Sequence, residues 1–198
     1  MAKQQLLLMR HQLRNALVLL GVMILFTGII YPLFVTFVAQ VVFPHQANGS
    51  LIESEGKFLG SELIGQQFDQ EGYFWGRPSA TQPSPYNGSA SSGSNYGPSN
   101  EELLVNIQKR IEALKKSDPE NSMPIPVDLV TYSASGLDPH ISRAAALYQV
   151  PRVARQRHIS EGELQEMVNR FTEGRQFGFL GEPRVNVLRL NLSLDEIK

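Results

Sequence analysis

From Ala16 to Phe43 the chain runs for 28 residues without one charged side chain, as ALVLLGVMILFTGIIYPLFVTFVAQVVF. A helix rises about 1.5 Å per residue, so roughly 20 residues cross a hydrocarbon core and this run has residues to spare for tilt. A core helix of a globular domain needs no such length, and a cleavable signal carries an apolar region of about 7–15 residues closed by a small-x-small site. The run therefore reads as a retained transmembrane anchor over 16–43, with a short segment 1–15 before it and a domain over 46–198 after it. Lys3, Arg10 and Arg14 precede the span and no acidic residue does, while Glu53 and Glu55 are the first charges beyond it. Basic flanks stay inside, which puts the N-terminus in the cytoplasm and the bulk of the chain outside.

Charge and composition remove whole classes of function. Lys plus Arg total 18 against 19 Asp plus Glu, and the part beyond the span has a net charge of −4. That balance argues against nucleic acid, whose phosphates demand a cationic excess. Without cysteine there is no disulfide framework, zinc knuckle, iron–sulfur cluster or cysteine nucleophile. The motifs GxxxxGK[ST], GxGxxG and GxSxG are all missing, and His11, His45, His140 and His158 lack metal-ligand spacing. We therefore expect no catalytic residue, no metal and no directly bound cofactor.

One span free of ionisable groups forms no pore, so any transport role belongs to a larger assembly. Gly21, Gly28 and Pro32 lie near one stripe of the span. Small residues there suit a docking face for another helix, and they equally suit the ordinary composition of membrane helices.

Beyond the span, Leu51 to Phe68 is apolar but broken by Gly56, Gly60 and Gly65, which suits short strands and turns. The segment Tyr73 to Ser79, YFWGRPS, holds the only tryptophan, and in Gly76–Asn100 18 of 25 residues are Gly, Pro, Ser or Asn. Such a stretch is either a linker or a functional surface loop, and its low charge with Tyr86 and Tyr96 favours a loop ordered against a partner. Tyr73, Phe74, Trp75, Arg77, Tyr86, Ser94, Asn95 and Tyr96 are the candidate interaction residues.

Ser99 and Glu102 form a capping-box pattern ahead of a helix to Ser117, with Leu103, Ile107, Ile111 and Leu114 on one face. Val127–Ser133 suggests a strand. Asp138-Pro139 suggests an N-cap with proline in the first helical turn, Pro151 a restart through Arg157, and Ser160 with Glu163 a capped helix closed by Gly174. Val185–Leu194 suggests a final strand with a phase shift at Val187-Leu188. Separated helices and strands without regular alternation predict the α+β class.

The densest polar cluster is SASGLDPHIS, Ser133 to Ser142. Ser135, Asp138 and His140 could be a nucleophile and its partners in an anchored hydrolase, but groups so close in sequence rarely converge on one atom. A turn at Ser135-Gly136 with a cap at Asp138, forming part of an interaction surface, explains the cluster more simply. Arg152, Arg155 and Arg157 read as a solvated or salt-bridged helix face rather than an anion site.

Taken together, GIIYPL at the end of the span, YFWGRPS, SGSNYGPSN, SASGLDPHIS with Gln149, Arg152 and Arg157 after it, and LGEPRVNVLRLNLSLD resemble the C subunit of the bacterial Kdp potassium-transporting ATPase. The similarity runs in order from about Gly28 to Asp195. The family usually has two glycines where Ser92-Gly93 stands here, and its YF-x-x-RPS stretch carries Trp75-Gly76. The resemblance implies a single-pass accessory subunit of the bacterial plasma membrane. Its partners would be a potassium-binding channel-like subunit, an ATP-hydrolysing P-type subunit and a small single-span subunit. ATP and potassium are then used by the complex. The family is also described as a catalytic chaperone that raises the ATP affinity of the hydrolysing subunit, which on the charge-flank orientation has to be allosteric, since nucleotide lies across the membrane. A free-standing anchored binding protein is the remaining alternative.

Overall fold

A computed structural model describes residues 2–54 and 56–197 of the chain. Glu55 and Lys198 lie outside the described residues, as do Met1 and the side chains of residues 2, 3, 6 and 7, the basic flank at Lys3 among them. The chain divides into two compact units, Met1–Leu51 and Ile52–Lys198.

The first unit is helical almost throughout. Helix α1 (Ala2–Ile24) passes into a π-helical turn (Leu25–Ile30) and then α2 (Tyr31–Val42), followed by the short α3 (Pro44–Ala47). Pro32 explains the wide turn. It has no N–H, and its ring would strike the carbonyl of Gly28 four residues back in a regular helix. In the observed turn the Tyr31 N–H reaches Phe26 O, five residues back, and the helix continues. The 35 residues Leu8–Val42 are apolar enough to span a membrane, and none of the most apolar stretch is buried. Their length, about 50 Å at 1.5 Å per residue, exceeds a hydrocarbon core.

The second unit combines helices with two small sheets, as the α+β expectation requires. Strands β1 (Leu51–Ser54) and β2 (Lys57–Ser61) pair with each other. Helix α4 (Glu101–Ser117) starts one residue later than the sequence suggests. Asn100, not Ser99, is its cap, accepting from the Glu102 N–H at 2.8 Å. Glu101 and Glu102 in its first turn and Lys115 and Lys116 in its last complement the helix dipole.

Where a strand is expected over Val127–Ser133, the chain makes a 3-10 turn, Val127–Leu129. Consecutive Leu129 and Val130 are both buried, which an alternating strand does not allow. The turn also aims the Asp128 carboxylate at the N–H and hydroxyl of Ser142, 2.7 and 3.1 Å away.

Asp138 is not a helix cap. It accepts from the His140 N–H two residues on, at 3.0 Å, and the chain continues extended as β3 (His140–Ser142). Ser142 caps α5 (Arg143–Arg157) by accepting from the Ala145 N–H at 3.0 Å. Pro151 sits inside this one continuous helix. Burial of Tyr148, Gln149, Val150, Arg152, Val153 and Ala154 around it outweighs the roughly 3 kcal/mol that an interior proline costs.

The Ser160–Glu163 capping box is present at the start of α6 (Glu161–Arg170), which ends at Phe171, ahead of Gly174. Strand β4 (Thr172–Glu173) follows. The expected terminal strand is real only over β5 (Arg184–Asn186). At Asn186, which accepts from the Arg189 N–H, the chain turns into α7 (Val187–Asp195). Val187, Leu188, Leu190, Asn191 and Leu194 are buried, so the phase shift at Val187-Leu188 is the onset of helical spacing rather than a bulge. The second sheet is antiparallel in the order β3-β5-β4, with Ile141 opposite Val185 and Thr172 on the other side of Val185.

Candidate functional site

The segment Tyr73–Ser79 crosses the second unit without joining a sheet, yet Phe74 and Trp75 are buried, at 0% and 7% exposure. Buried peptide groups need partners, and two side-chain amides supply them. Asn191 on α7 accepts from the Phe74 N–H and donates to its carbonyl, both at 2.9 Å. Gln149 on α5 does the same for Trp75, at 2.8 and 3.1 Å. The indole lies between two guanidinium groups, Arg152 at 4.4 Å and Arg110 at 5.3 Å from its centroid.

Arg152 is buried and donates to the carbonyls of Glu71 and Tyr73, and burial lowers its pKa to about 10. Arg155 pairs with buried Asp118, while Arg157 stacks on Tyr73 and pairs with Asp195 at 2.7 Å. Arg155 and Arg157 are thus salt-bridged as the sequence suggests, but Arg152 is an internal clamp.

The following loop wraps the 132–138 segment. Ser79 Oγ donates to Gly136 O at 2.6 Å and accepts from the Tyr86 N–H, and Tyr86 donates its hydroxyl to Arg77 O at 2.6 Å. Burial pushes the Tyr86 pKa up to about 12. The Ser92 N–H donates to Ser135 O at 3.0 Å, and the Ser92 hydroxyl reaches Ala80 O. Gly136, at φ +68°, sits so close that a Cβ there would lie 2.6 Å from Ser92 O and from Thr81 Cγ2. Ser94 and Tyr96 are half-buried and Asn95 is exposed. A hydrogen bond to Glu102 raises the pKa of Tyr96.

Arg77, Asp138 and His140 meet: Arg77 Nη1 lies 3.3 Å from Asp138 Oδ2 and His140 Nδ1 3.5 Å from Asp138 Oδ1. Burial alone would raise the Asp138 carboxyl, but hydrogen bonds from His140 and the charge of Arg77 outweigh it and hold the pKa below its ordinary value. Exposed Ser135 does not complete a triad. Its Oγ accepts from the Leu137 N–H at 3.1 Å, and among the described residues no hydrogen bond joins it to His140. Among the described residues no three His, Asp or Glu side chains cluster as metal ligands.

Residues 13–196 match the family model KdpC: K+-transporting ATPase, c chain. The chain belongs to this family. It is 60% identical over 190 residues to the potassium-transporting ATPase KdpC subunit of Methylococcus capsulatus, covering 96% of this chain and 100% of that one. Identity to the KdpC subunit of Herpetosiphon aurantiacus is also 60%, over 96% and 98% of the two chains, and to that of Dechloromonas aromatica 57%, over 96% and 99%.

In this KdpC-family chain the motif segments converge on one another. YFWGRPS is gripped by residues of α5 and α7, and SASGLDPHIS receives both Arg77 and the loop around Ser92-Gly93. The Ser92 hydroxyl donates to Ala80 O at 3.2 Å. Phe74 and Trp75 are turned into the chain's own core, whereas Tyr73, Arg77, Tyr86, Ser94, Asn95 and Tyr96 keep exposed surface. In the span, a Cβ on Gly21 would meet nothing within 4 Å and one on Gly28 only Ile24 Cγ2 at 3.9 Å. Sequence reasoning passed over Gln149 as a site residue and missed Asn191. Their signal was a polar residue in an otherwise buried helical stripe.

Proposed function

We propose that this chain is an accessory, non-catalytic subunit of a high-affinity, ATP-driven potassium uptake complex in the bacterial plasma membrane. Its partners are a potassium-binding channel-like subunit, an ATP-hydrolysing P-type subunit and a small single-span subunit. It crosses the membrane once, with residues 1–15 in the cytoplasm and the α+β domain outside. It serves the complex in assembly and as a catalytic chaperone that raises ATP affinity, and it does so allosterically, by favouring a conformation of the ATPase that binds nucleotide better. Neither ATP nor potassium is bound by this chain itself.

The observation that carries the reading is the match of residues 13–196 to the K+-transporting ATPase c chain family, together with a helix, Leu8–Val42, long and apolar enough to cross a membrane. The basic flank at Arg10 and Arg14 supports the orientation. The test is detergent extraction of the tagged full chain from its own membranes, followed by mass spectrometry. The three partners are expected in stoichiometric amounts. A chain that elutes alone would overturn the reading in favour of a free-standing anchored protein.

A further inference from the structure

A cleft of about 310 Å³ opens between the Gly76–Tyr86 loop and one face of α4. Arg77, Lys109 and Arg110 line it with Asn106, and no carboxylate does. Asn106, Lys109, Arg110 and Ala113 follow the i, i+3, i+4, i+7 spacing that puts residues on one helix face.

The three cations are unequally committed. Arg110 gives Nε to Leu129 O and Nη2 to Gly76 O, at 3.0 and 3.1 Å, and its Nη1 makes no hydrogen bond among the described residues. Arg77 gives Nη1 to Asp138 and Nη2 to Tyr132 O, while its Nε is buried without an acceptor. Lys109 is exposed and has no ion pair among the described residues. Asp138 offsets one charge through Arg77, and Asp69 acts on Arg110 from outside the lining. The cleft thus offers donors and positive charge to an anionic group. Beside it, Val105 is 50% exposed one turn before Lys109, and Leu104 is 62% exposed. Apolar surface next to unpaired cations suits a protein face better than a free ion.

We propose that this cleft is the receptor for an Asp or Glu side chain presented by a partner subunit, with Lys109 as its main counter-charge and Arg77 and Arg110 as supporting donors. The proposal rests on the complex-subunit reading and adds the chemistry of one contact. Val105 packs against apolar surface beside that carboxylate.

The test is a pull-down of the complex through the tagged full chain, in detergent, over a salt titration. Lys109→Glu should weaken retention of the partners about tenfold, the scale of one lost charge contact. Lys57→Glu, exposed on β2 and outside the cleft lining, should leave retention unchanged, and both variants should melt as the wild type does. Equal retention by Lys109→Glu and wild type overturns the cleft proposal while the complex stands. A wild-type chain that brings down no ATPase subunit overturns the complex reading itself, whatever Lys109 does. If inorganic phosphate raises the Tm of the wild-type chain but not of Lys109→Gln, and Lys109→Glu keeps its partners, the cleft is a free-anion site and the partner-carboxylate assignment is wrong.

Discussion

Gln149 and Trp75 exchange two hydrogen bonds, the Trp75 N–H to Oε1 at 2.8 Å and Nε2 to the Trp75 carbonyl at 3.1 Å. A glutamine on a helix thereby replaces a neighbouring strand for a buried extended segment, and Arg152 fixes the amide by donating to the same Oε1 at 2.8 Å.

Gln149→Ala should destabilise the full chain by about 2–6 kcal/mol, because it strands two buried backbone groups at roughly 1–3 kcal/mol each. Thermal unfolding followed by Trp75 fluorescence reads this directly. Asn191→Ala should cost a similar amount, and the double variant less than the sum, since the two amides hold adjacent residues of one segment.

The Asp138 carboxyl is held below its ordinary pKa in the folded chain. Its contribution is therefore complete above the unfolded carboxyl value of about 3.9 and is lost as the pH falls through the lower folded value. Asp138→Asn should be less stable than wild type at neutral pH by about 1 kcal/mol, and the two melting curves should converge in acid. A gap that persists unchanged at low pH would mean that the carboxylate charge is irrelevant.

Gly136→Ala forces a side chain into a left-handed residue and against Ser92 O and Thr81. The expected cost is about 2 kcal/mol or more, with faster proteolysis in the 81–100 loop. Gly97→Ala, with open space and no positive φ, should be neutral.

In the apolar helix, a Cβ at Gly28 would have only Ile24 Cγ2, at 3.9 Å, within 4 Å, so the first carbon of Gly28→Leu fits without a clash. The helix should form as before, and any loss of co-purified partners is then a loss of close approach by a neighbouring helix. Unchanged co-purification would mean that Gly28 is not part of a docking face.

An outside-only reporter fused after Lys198 should be active and a cytoplasm-only reporter silent, on the strength of the basic flank at Arg10 and Arg14. The reverse pattern would reverse the orientation.

The long apolar helix, α4, the Ser160–Glu163 box and the α+β class were legible because each is written locally, in a charge-free run, a helical stripe or a cap. Asp138, Pro151 and Val185–Leu194 were misread for the opposite reason. Asp138 looks like a cap until Arg77, sixty-one residues away, takes its carboxylate. Pro151 looks like a break until the burial around it is known, and Val187 belongs to a helix because Leu190 and Leu194 are buried with it. The candidate site divides in the same way. Phe74 and Trp75 announce themselves as aromatic residues in an odd loop, but only Gln149 and Asn191 show that they face inward. Lys109 and Arg110 passed unremarked because nothing local separates a cleft-lining cation from a solvated one.

On the reading we propose, the chain assists ATP hydrolysis from a distance, without holding nucleotide. Calorimetric titration of ATP with magnesium into the purified full chain tests it most directly. A triphosphate needs backbone amides of a glycine-rich turn or helix N-terminus backed by a lysine or a magnesium-binding carboxylate, and the Ser135-Gly136 turn leads instead to Asp138, whose carboxylate already occupies the His140 amide and repels phosphate. No saturable heat is expected in the micromolar range; micromolar binding would mean that the chain holds nucleotide itself.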